Sequence, residues 1–126
     1  MRAVDTNILV RLITRDDQRQ LAMAEAWIAR GAWVSTLVLA ETSWVLGAVY
    51  DLRHDDIATV VEMLLSHEHL SLQDPEAVAA ALEQYRKVPA LGFTDCLILE
   101  IARKAGHLPL GTFDKRLAHT DGSERL

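Results

Sequence analysis

The sequence predicts an α/β fold in which helices cover both faces of a mostly parallel sheet. Short apolar runs alternate along the chain with longer segments of helical spacing, the pattern of parallel strands joined by helices. The 126 residues are enough for one domain with a substantial core. Half of them are hydrophobic and a quarter are charged, as in ordinary globular proteins. We therefore expect residues 1–126 to form a single domain.

Four short apolar runs are predicted to be the strands of the sheet. In chain order they are Met1–Asp5, Ala32–Val34, Leu70–Leu72 and Leu108–Thr112. The closing residues DGSERL are polar and show no convincing strand pattern. We expect them to form a loose tail or an edge segment that the sequence does not assign.

The segments between these runs have the caps and the spacing of helices. The predicted helices are Thr6–Ile13, Gln18–Arg30, Ser35–Tyr50, a segment from Asp55 or Asp56 to Ser66, one through Ala77–Tyr85, Asp95–Lys104 and a short turn at Phe113–Leu117. Gly31 is well placed to end the second helix and Gly106 to end the one from Asp95. Asp74 and Pro75 form a cap followed by a proline at the first helical position.

Glu41 lies on what looks like an apolar side of its helix. The residues three and four positions away on either side are all apolar: Leu37, Val38, Trp44 and Val45. This spacing predicts that Glu41 points into the core. Burial of a lone carboxylate costs several kcal/mol or shifts its pKa until it is neutral, so a buried Glu41 needs a partner. No basic residue lies three or four positions away, which favours a functional partner. The alternatives are a buried ion pair with an arginine or a helix register that leaves Glu41 exposed.

Three aspartates stand where predicted strands end or helices begin: Asp5, Asp95 and Asp114. Taken alone, Asp5 is explained as well by a helix cap as by a functional role, and a place at a helix start is the better explanation for Asp95 and for Asp114. Together with Glu41 they predict a site for Mg²⁺ or Mn²⁺, which prefer carboxylate and water oxygens. Two such ions can activate water for phosphodiester hydrolysis.

Neutral and basic side chains extend this site. Asn7 and Thr112 could add neutral oxygens or orient a water. Lys115 and Arg116 could contact a substrate phosphate, although a solvated helix end explains them equally well. The net charge of −5 argues mildly against simple electrostatic binding of nucleic acid, but bound cations would offset it.

Other features are better explained by packing and location. Cys96 is the only cysteine, which fits a reducing compartment, and it begins an apolar helix without a histidine partner. Trp27, Trp33 and Trp44 are spread over different elements and are expected in the core. No stretch is apolar enough to span a membrane, and no leader precedes Asp5, so we expect a cytoplasmic protein.

Four motifs in this order resemble those of the PIN domain family. They are VDTNILVR at the amino terminus, STLVLAE ending at Glu41, GFTDCLI around Asp95, and GTFDKRLA around Asp114. Their spacing and the short chain are most similar to the VapC-type toxin ribonucleases of bacterial toxin–antitoxin pairs. The resemblance implies a three-layer α/β/α sandwich with a mostly parallel central sheet, and a metal-dependent endoribonuclease.

The resemblance also implies roles for residues and partners. It implies a catalytic, metal-binding acidic quartet of Asp5, Glu41, Asp95 and Asp114, supported by Asn7 and Thr112. Similar proteins act on RNA, commonly form homodimers and are inhibited by a small cognate antitoxin that covers the active site.

Two other functions remain open at this point. A phosphatase with an aspartate nucleophile also places an Asp after its first strand, but it normally has a second Asp two positions on, where this chain has Asn7. A non-catalytic interaction module could use the carboxylates to bind a basic partner. Metal binding without cleavage would favour that second alternative.

Overall fold

The computed structural model describes all residues from Met1 to Leu126. They form two compact units, an amino-terminal unit of Met1–Pro75 and a carboxyl-terminal unit of Glu76–Leu126. The assignment of residues 1–126 to a single domain stays a prediction.

The amino-terminal unit contains three parallel strands and four helices, close to the predicted boundaries. In chain order they are β1 (Arg2–Ala3), α1 (Thr6–Thr14), α2 (Gln18–Ile28), β2 (Ala32–Val34), α3 (Thr36–Ala48), α4 (His54–Ser66) and β3 (Leu70–Leu72). The strand order is β1-β2-β3, with Ala3 beside Trp33 and Val34 beside Leu72. The carboxyl ends of all three strands therefore lie at one edge of this sheet.

Side-chain caps begin the first three helices. Asp5 accepts from the backbone N–H of Thr6 at the start of α1, and Asp17 accepts from Gln20 N at the start of α2. Ser35 caps α3 by accepting from the backbone N–H of Val38 at 3.1 Å. These short polar side chains satisfy helix N–H groups that have no partner within the helix, so the helix starts are fixed by local sequence.

The core of this unit is built from aliphatic side chains of the helices and of β2. Helix α1 packs against α2 and α3, α3 packs against α4, and α4 packs against β3. The most deeply buried side chains are Leu9, Val10, Val34, Leu39, Leu46 and Val61.

The carboxyl-terminal unit contains the remaining elements. They are α5 (Pro75–Lys87, beginning at the boundary), α6 (Phe93–Ala105), β4 (Leu110–Thr112), α7 (Lys115–Ala118) and β5 (Ser123–Arg125). Its interior includes Tyr85 and Phe93, whose rings meet edge to face with centroids 5.8 Å apart. Gly106 ends α6 in the left-handed conformation that favours glycine, as predicted.

Of the two alternatives expected for the carboxyl-terminal residues, the edge segment is the one that the structure forms, and the loose tail is wrong. Ser123–Arg125 forms β5, which pairs in parallel with β4 so that Gly111 lies beside Glu124 and Thr112 beside Arg125. A polar segment can form this strand because backbone hydrogen bonds hold it, among them Leu126 N to Thr112 O at 3.0 Å. None of the helices combines the length and the apolar character needed to cross a membrane.

Candidate functional site

Asp5 and Glu41 are connected through Thr6 at the carboxyl end of β1. The backbone N–H of Thr6 donates to Asp5 Oδ1 at 2.7 Å, and the Thr6 hydroxyl donates to Glu41 Oε1. Thr6 is buried, whereas both carboxylates are exposed. One residue therefore holds two acidic side chains that are 36 positions apart in the sequence, each by a different donor.

Sequence reasoning did not assign Thr6 to the site. Thr6 could have been identified by its position between Asp5 and Asn7. The residue after a helix cap has a backbone N–H without a partner in the helix, and Thr6 also has a side-chain hydroxyl. What could not be read from the sequence is that its hydroxyl turns toward α3.

The prediction that Glu41 points into the core is wrong. The buried face of α3 is formed by Leu39, Thr42, Ser43 and Leu46, and Glu41 lies on the exposed face. Two of its apolar neighbours on that face, Leu37 and Trp44, are 79% and 65% exposed. The hydroxyls of Thr42 and Ser43 can be buried because they donate to the backbone carbonyls of Val38 and Ala40 within the helix.

No basic side chain neutralises the two carboxylates of the amino-terminal unit. Neither Asp5 nor Glu41 forms an ion pair. Each uses one oxygen in its hydrogen bond with Thr6, which leaves the second oxygen for another ligand. This is a pair of accessible, fixed anionic groups at the strand ends.

Asp95 and Asp114 interact in the carboxyl-terminal unit. Asp95 lies in the first turn of α6 and is partly buried. Burial raises the pKa of its carboxyl group above the usual range, and the negative charge of Asp114 raises it further. Asp114 is therefore near enough to Asp95 for its charge to disfavour the ionised form of Asp95.

Asp114 is held as the cap of α7. Its Oδ1 accepts from Arg116 N at 2.8 Å and from Leu117 N at 2.9 Å, and these bonds, that from Leu117 above all, lower its pKa. Its own backbone N–H donates to Thr112 Oγ1 at 3.0 Å. The same carboxylate caps α7 and is a candidate site residue. The helix cap and the functional role that the sequence suggested for Asp114 therefore do not exclude each other.

The remaining predicted site residues lie near these carboxylates. Asn7 is exposed in the first turn of α1, and Thr112 is half-buried at the end of β4. Lys115 and Arg116 are exposed in the first turn of α7, directly after Asp114.

Neither unit brings three or more His, Cys, Asp or Glu side chains into one group that could hold a metal ion. Each unit supplies one acidic pair: Asp5 and Glu41 in the first, Asp95 and Asp114 in the second. The grouping of these four carboxylates into one candidate site is based on the order of the sequence motifs.

Two packing predictions have different outcomes. Cys96 is fully buried, and its burial raises the thiol pKa to about 11, so it is a neutral packing group as expected. The prediction that Trp27, Trp33 and Trp44 lie in the core is wrong, because they are 40%, 38% and 65% exposed.

The fold and these residues define the class of protein: an α/β protein with acidic side chains placed after its parallel strands, where such folds bind ligands. The family model of the PIN domain matches residues 2–123, and the chain belongs to this family. Searches among curated proteins and among solved structures each found no match.

Family membership confirms the predicted PIN-like α/β fold class and the resemblance read from the four motifs. The fold is therefore of the nuclease type: PIN domains are generally nucleases, which are hydrolases, and they commonly use divalent metals. The VapC-type toxin subtype stays a prediction.

Proposed function

We propose that this PIN domain is a Mg²⁺- or Mn²⁺-dependent endoribonuclease, and that it is the toxin of a type II toxin–antitoxin pair. The observation that carries the nuclease is the pair of exposed carboxylates, Asp5 and Glu41, held by Thr6 without a basic partner. The toxin role depends on motif spacing and chain length alone.

The donor groups suit a hard divalent cation. Asp5 and Glu41 in one unit, and Asp95 and Asp114 in the other, present carboxylate oxygens, the ligands that Mg²⁺ and Mn²⁺ prefer. Burial, and after it the negative charge of Asp114, raise the pKa of Asp95, so the ionised form of Asp95 is poorly stabilised there. A cation bound there would favour the ionised form of Asp95.

When bound, the ion would supply Lewis-acid chemistry for hydrolysis of the RNA phosphodiester. The chain's own residues hold the site. Thr6 fixes Asp5 and Glu41, and the backbone N–H groups at the start of α7 fix Asp114. Asn7 and Thr112 would add neutral polar groups beside the carboxylates, and Lys115 and Arg116, exposed directly after Asp114, would contact substrate phosphate.

A second candidate is a non-catalytic interaction module, and one observation favours it. Large apolar side chains on α3, Leu37 and Trp44, flank Glu41 and are mostly exposed, and Val49 directly after α3 is 62% exposed. Exposed apolar groups of this size are typical of surfaces that bind another protein. A cognate antitoxin or a second copy of the chain would suit this surface whether or not the carboxylates are catalytic.

Mapping of new RNA 5′ ends tests the nuclease. Wild type, Asp5→Asn and Glu41→Gln are expressed briefly, with Glu25→Gln as a control because Glu25 is an exposed glutamate on α2 of the same unit. We expect discrete new ends with wild type and Glu25→Gln only. Equal cleavage by all four proteins would reject the site assignment, and no cleavage by folded wild type would favour the interaction module.

Thermal unfolding tests the metal separately. We expect millimolar Mg²⁺ or Mn²⁺ to raise the melting temperature of wild type, because an ion that binds only the folded state stabilises it. The shift should be smaller in Glu41→Gln. A melting temperature unchanged by both ions would count against a metal site.

A further inference from the structure

A cavity of about 340 Å³ lies between α1 and α2. Asn7 and Arg11 of α1 line one side, and Gln20, Met23 and Trp27 of α2 line the other. Because Asn7 follows Asp5 by two residues, this cavity begins within one helical turn of the candidate catalytic carboxylate. Its volume falls at the lower end of the range of small-molecule sites, about 300–1,000 Å³.

The aromatic wall of this cavity is fixed in place although it is exposed. The indole N–H of Trp27 donates to Ala3 O at 3.1 Å, and the guanidinium of Arg2 stacks over the ring at 3.7 Å from its centroid. Arg2 also donates to the Trp27 carbonyl oxygen at 2.8 Å. A rigid, accessible aromatic ring with a cation against it is the kind of platform on which single-stranded nucleic acids stack their bases.

The polar side of the cavity is also oriented. Gln20 Oε1 accepts from Arg11 Nε at 2.5 Å, and Arg11 donates in turn to the hydroxyl of Tyr50 at 3.1 Å. This leaves the two amide N–H donors of Gln20 for another partner. Asn7 presents a second exposed amide. Side-chain amides of this kind both donate to and accept from the edges of bases.

We propose that this cavity binds one unpaired base of the substrate RNA and so positions the chain relative to Asp5; the inference rests on the proposed nuclease function. Met23 and Trp27, which line the same side of the cavity, would contact one face of the base, while Asn7 and Gln20 would meet its edge. An apolar side chain from a protein partner would also suit Met23 and Trp27. It would, however, cover the two amides without giving them hydrogen bonds, which is unfavourable.

Photo-crosslinking tests where the base binds. Short RNA oligonucleotides of mixed sequence that contain 5-iodouridine are irradiated with the Glu41→Gln protein, and the crosslinked peptides are identified by mass spectrometry. We expect crosslinks on the peptide that contains Met23 and Trp27. Crosslinks that form elsewhere but not on this peptide would overturn the proposal.

Steady-state cleavage by cavity variants tests its contribution. Loss of stacking on one aromatic ring costs about 1–3 kcal/mol, which is at least about fivefold in affinity. We therefore expect Trp27→Leu to raise KM at least about fivefold with kcat nearly unchanged, because the contact is made equally in ground and transition states. Gln20→Ala removes a contact to the base edge and Met23→Glu places a negative charge against the base, so both should also raise KM. Trp33→Leu is the matched control, since Trp33 has nearly the same exposure and lies outside the cavity.

The outcomes separate this inference from the proposed function. If Trp27→Leu does not fold, Gln20→Ala and Met23→Glu still test the cavity, because both residues are exposed. Normal KM in all folded cavity variants, with active wild type, would overturn the base site alone. A wild type that neither binds nor cleaves RNA would overturn the site and the nuclease together.

Discussion

Two glutamates on two helices of this protein have opposite environments. Glu41 on α3 is exposed and bonds to the Thr6 hydroxyl without any basic partner. Glu100 on α6 is only 7% exposed, and Arg103, three positions on, donates to it at 3.2 Å. The carboxylate that the sequence predicted to be buried is exposed, and a carboxylate that the prediction passed over is buried. The buried one has a structural ion pair, whereas the exposed one is left for a ligand.

The pattern of apolar residues on α3 explains why helical spacing wrongly predicted that Glu41 is buried. On α3, apolar residues occur on both sides: Leu39 and Leu46 face inward, while Leu37 and Trp44 have equally helical spacing and face outward. Spacing of apolar residues identifies a buried face only when the other face is polar. On α6, Glu100 follows Cys96 and Leu97, which are buried, and precedes its ion-pair partner. Helical spacing of apolar residues would therefore have predicted correctly that Glu100 is buried.

The largest expected effect separates the two glutamates by function. Glu41→Gln should reduce RNA cleavage at least about 100-fold without lowering the melting temperature, because it removes an exposed proposed metal ligand. Glu100→Gln should lower the melting temperature while its folded molecules cleave normally. Cleavage rates and thermal unfolding of the purified proteins measure both effects. Loss of cleavage in Glu100→Gln and loss of stability in Glu41→Gln would contradict both assignments.

The two faces of α3 can be compared by truncation of leucine. Leu39→Ala should lower the free energy of unfolding by roughly 2–5 kcal/mol, because Leu39 is only 1% exposed and its loss leaves a cavity. Leu37→Ala should change it by less than about 0.5 kcal/mol, because Leu37 is 79% exposed. Urea unfolding gives both values. Equal losses for the two variants would show that the helix is rotated from the position described.

A smaller effect is expected from the partner of Glu100. Arg103→Ala leaves the buried carboxylate unpaired and removes a hydrogen bond to Asp121 O at 2.6 Å, so we expect a loss of about 1–3 kcal/mol. Lys87→Ala is the control, since Lys87 forms an exposed ion pair with Glu83 at 3.1 Å and should contribute less than about 0.5 kcal/mol. Chemical unfolding of both variants distinguishes a buried pair from an exposed one.

The smallest effect concerns the pH dependence of Asp95. Because the pKa of Asp95 is raised in the folded state, ionisation penalises folding above that pKa, and the penalty disappears as the pH falls through it to below the ordinary value of 3.8. Asp95→Asn should therefore stabilise the metal-free protein slightly near neutral pH, by about 0.5 kcal/mol after allowance for its partial exposure. The gain should vanish in acid.

Asp114 should respond in the opposite direction. Its pKa is lowered by its bonds to the backbone of α7, so it stabilises the fold above pH 3.8, and this contribution is lost as the pH falls through the lowered folded pKa. Asp114→Ala should therefore destabilise the protein near neutral pH. Melting curves of both variants across pH in EDTA test the pair, and a loss of stability in Asp95→Asn would contradict the environment described for Asp95.

Much of the fold was predictable because its determinants are local. The predicted strands at Ala32–Val34 and Leu70–Leu72 agree with the structure residue for residue. Caps at Asp5 and Ser35 begin helices as expected, since each satisfies N–H groups within its own first turn. The four acidic motifs were readable for the same reason: each is a short run at a strand end or a helix start.

The sequence by itself therefore determined the helices and four of the five strands, the PIN family and the identity of the candidate carboxylates. Only the tertiary structure decided which side of α3 is buried, that Thr6 joins Asp5 to Glu41, that Trp27 forms an exposed platform, and that polar residues at the carboxyl end form β5. The physical reason is that caps and turns depend on neighbours in the chain. Which face of an apolar helix is covered, and which backbone edge a polar segment pairs with, depend on residues distant in sequence that folding brings into contact.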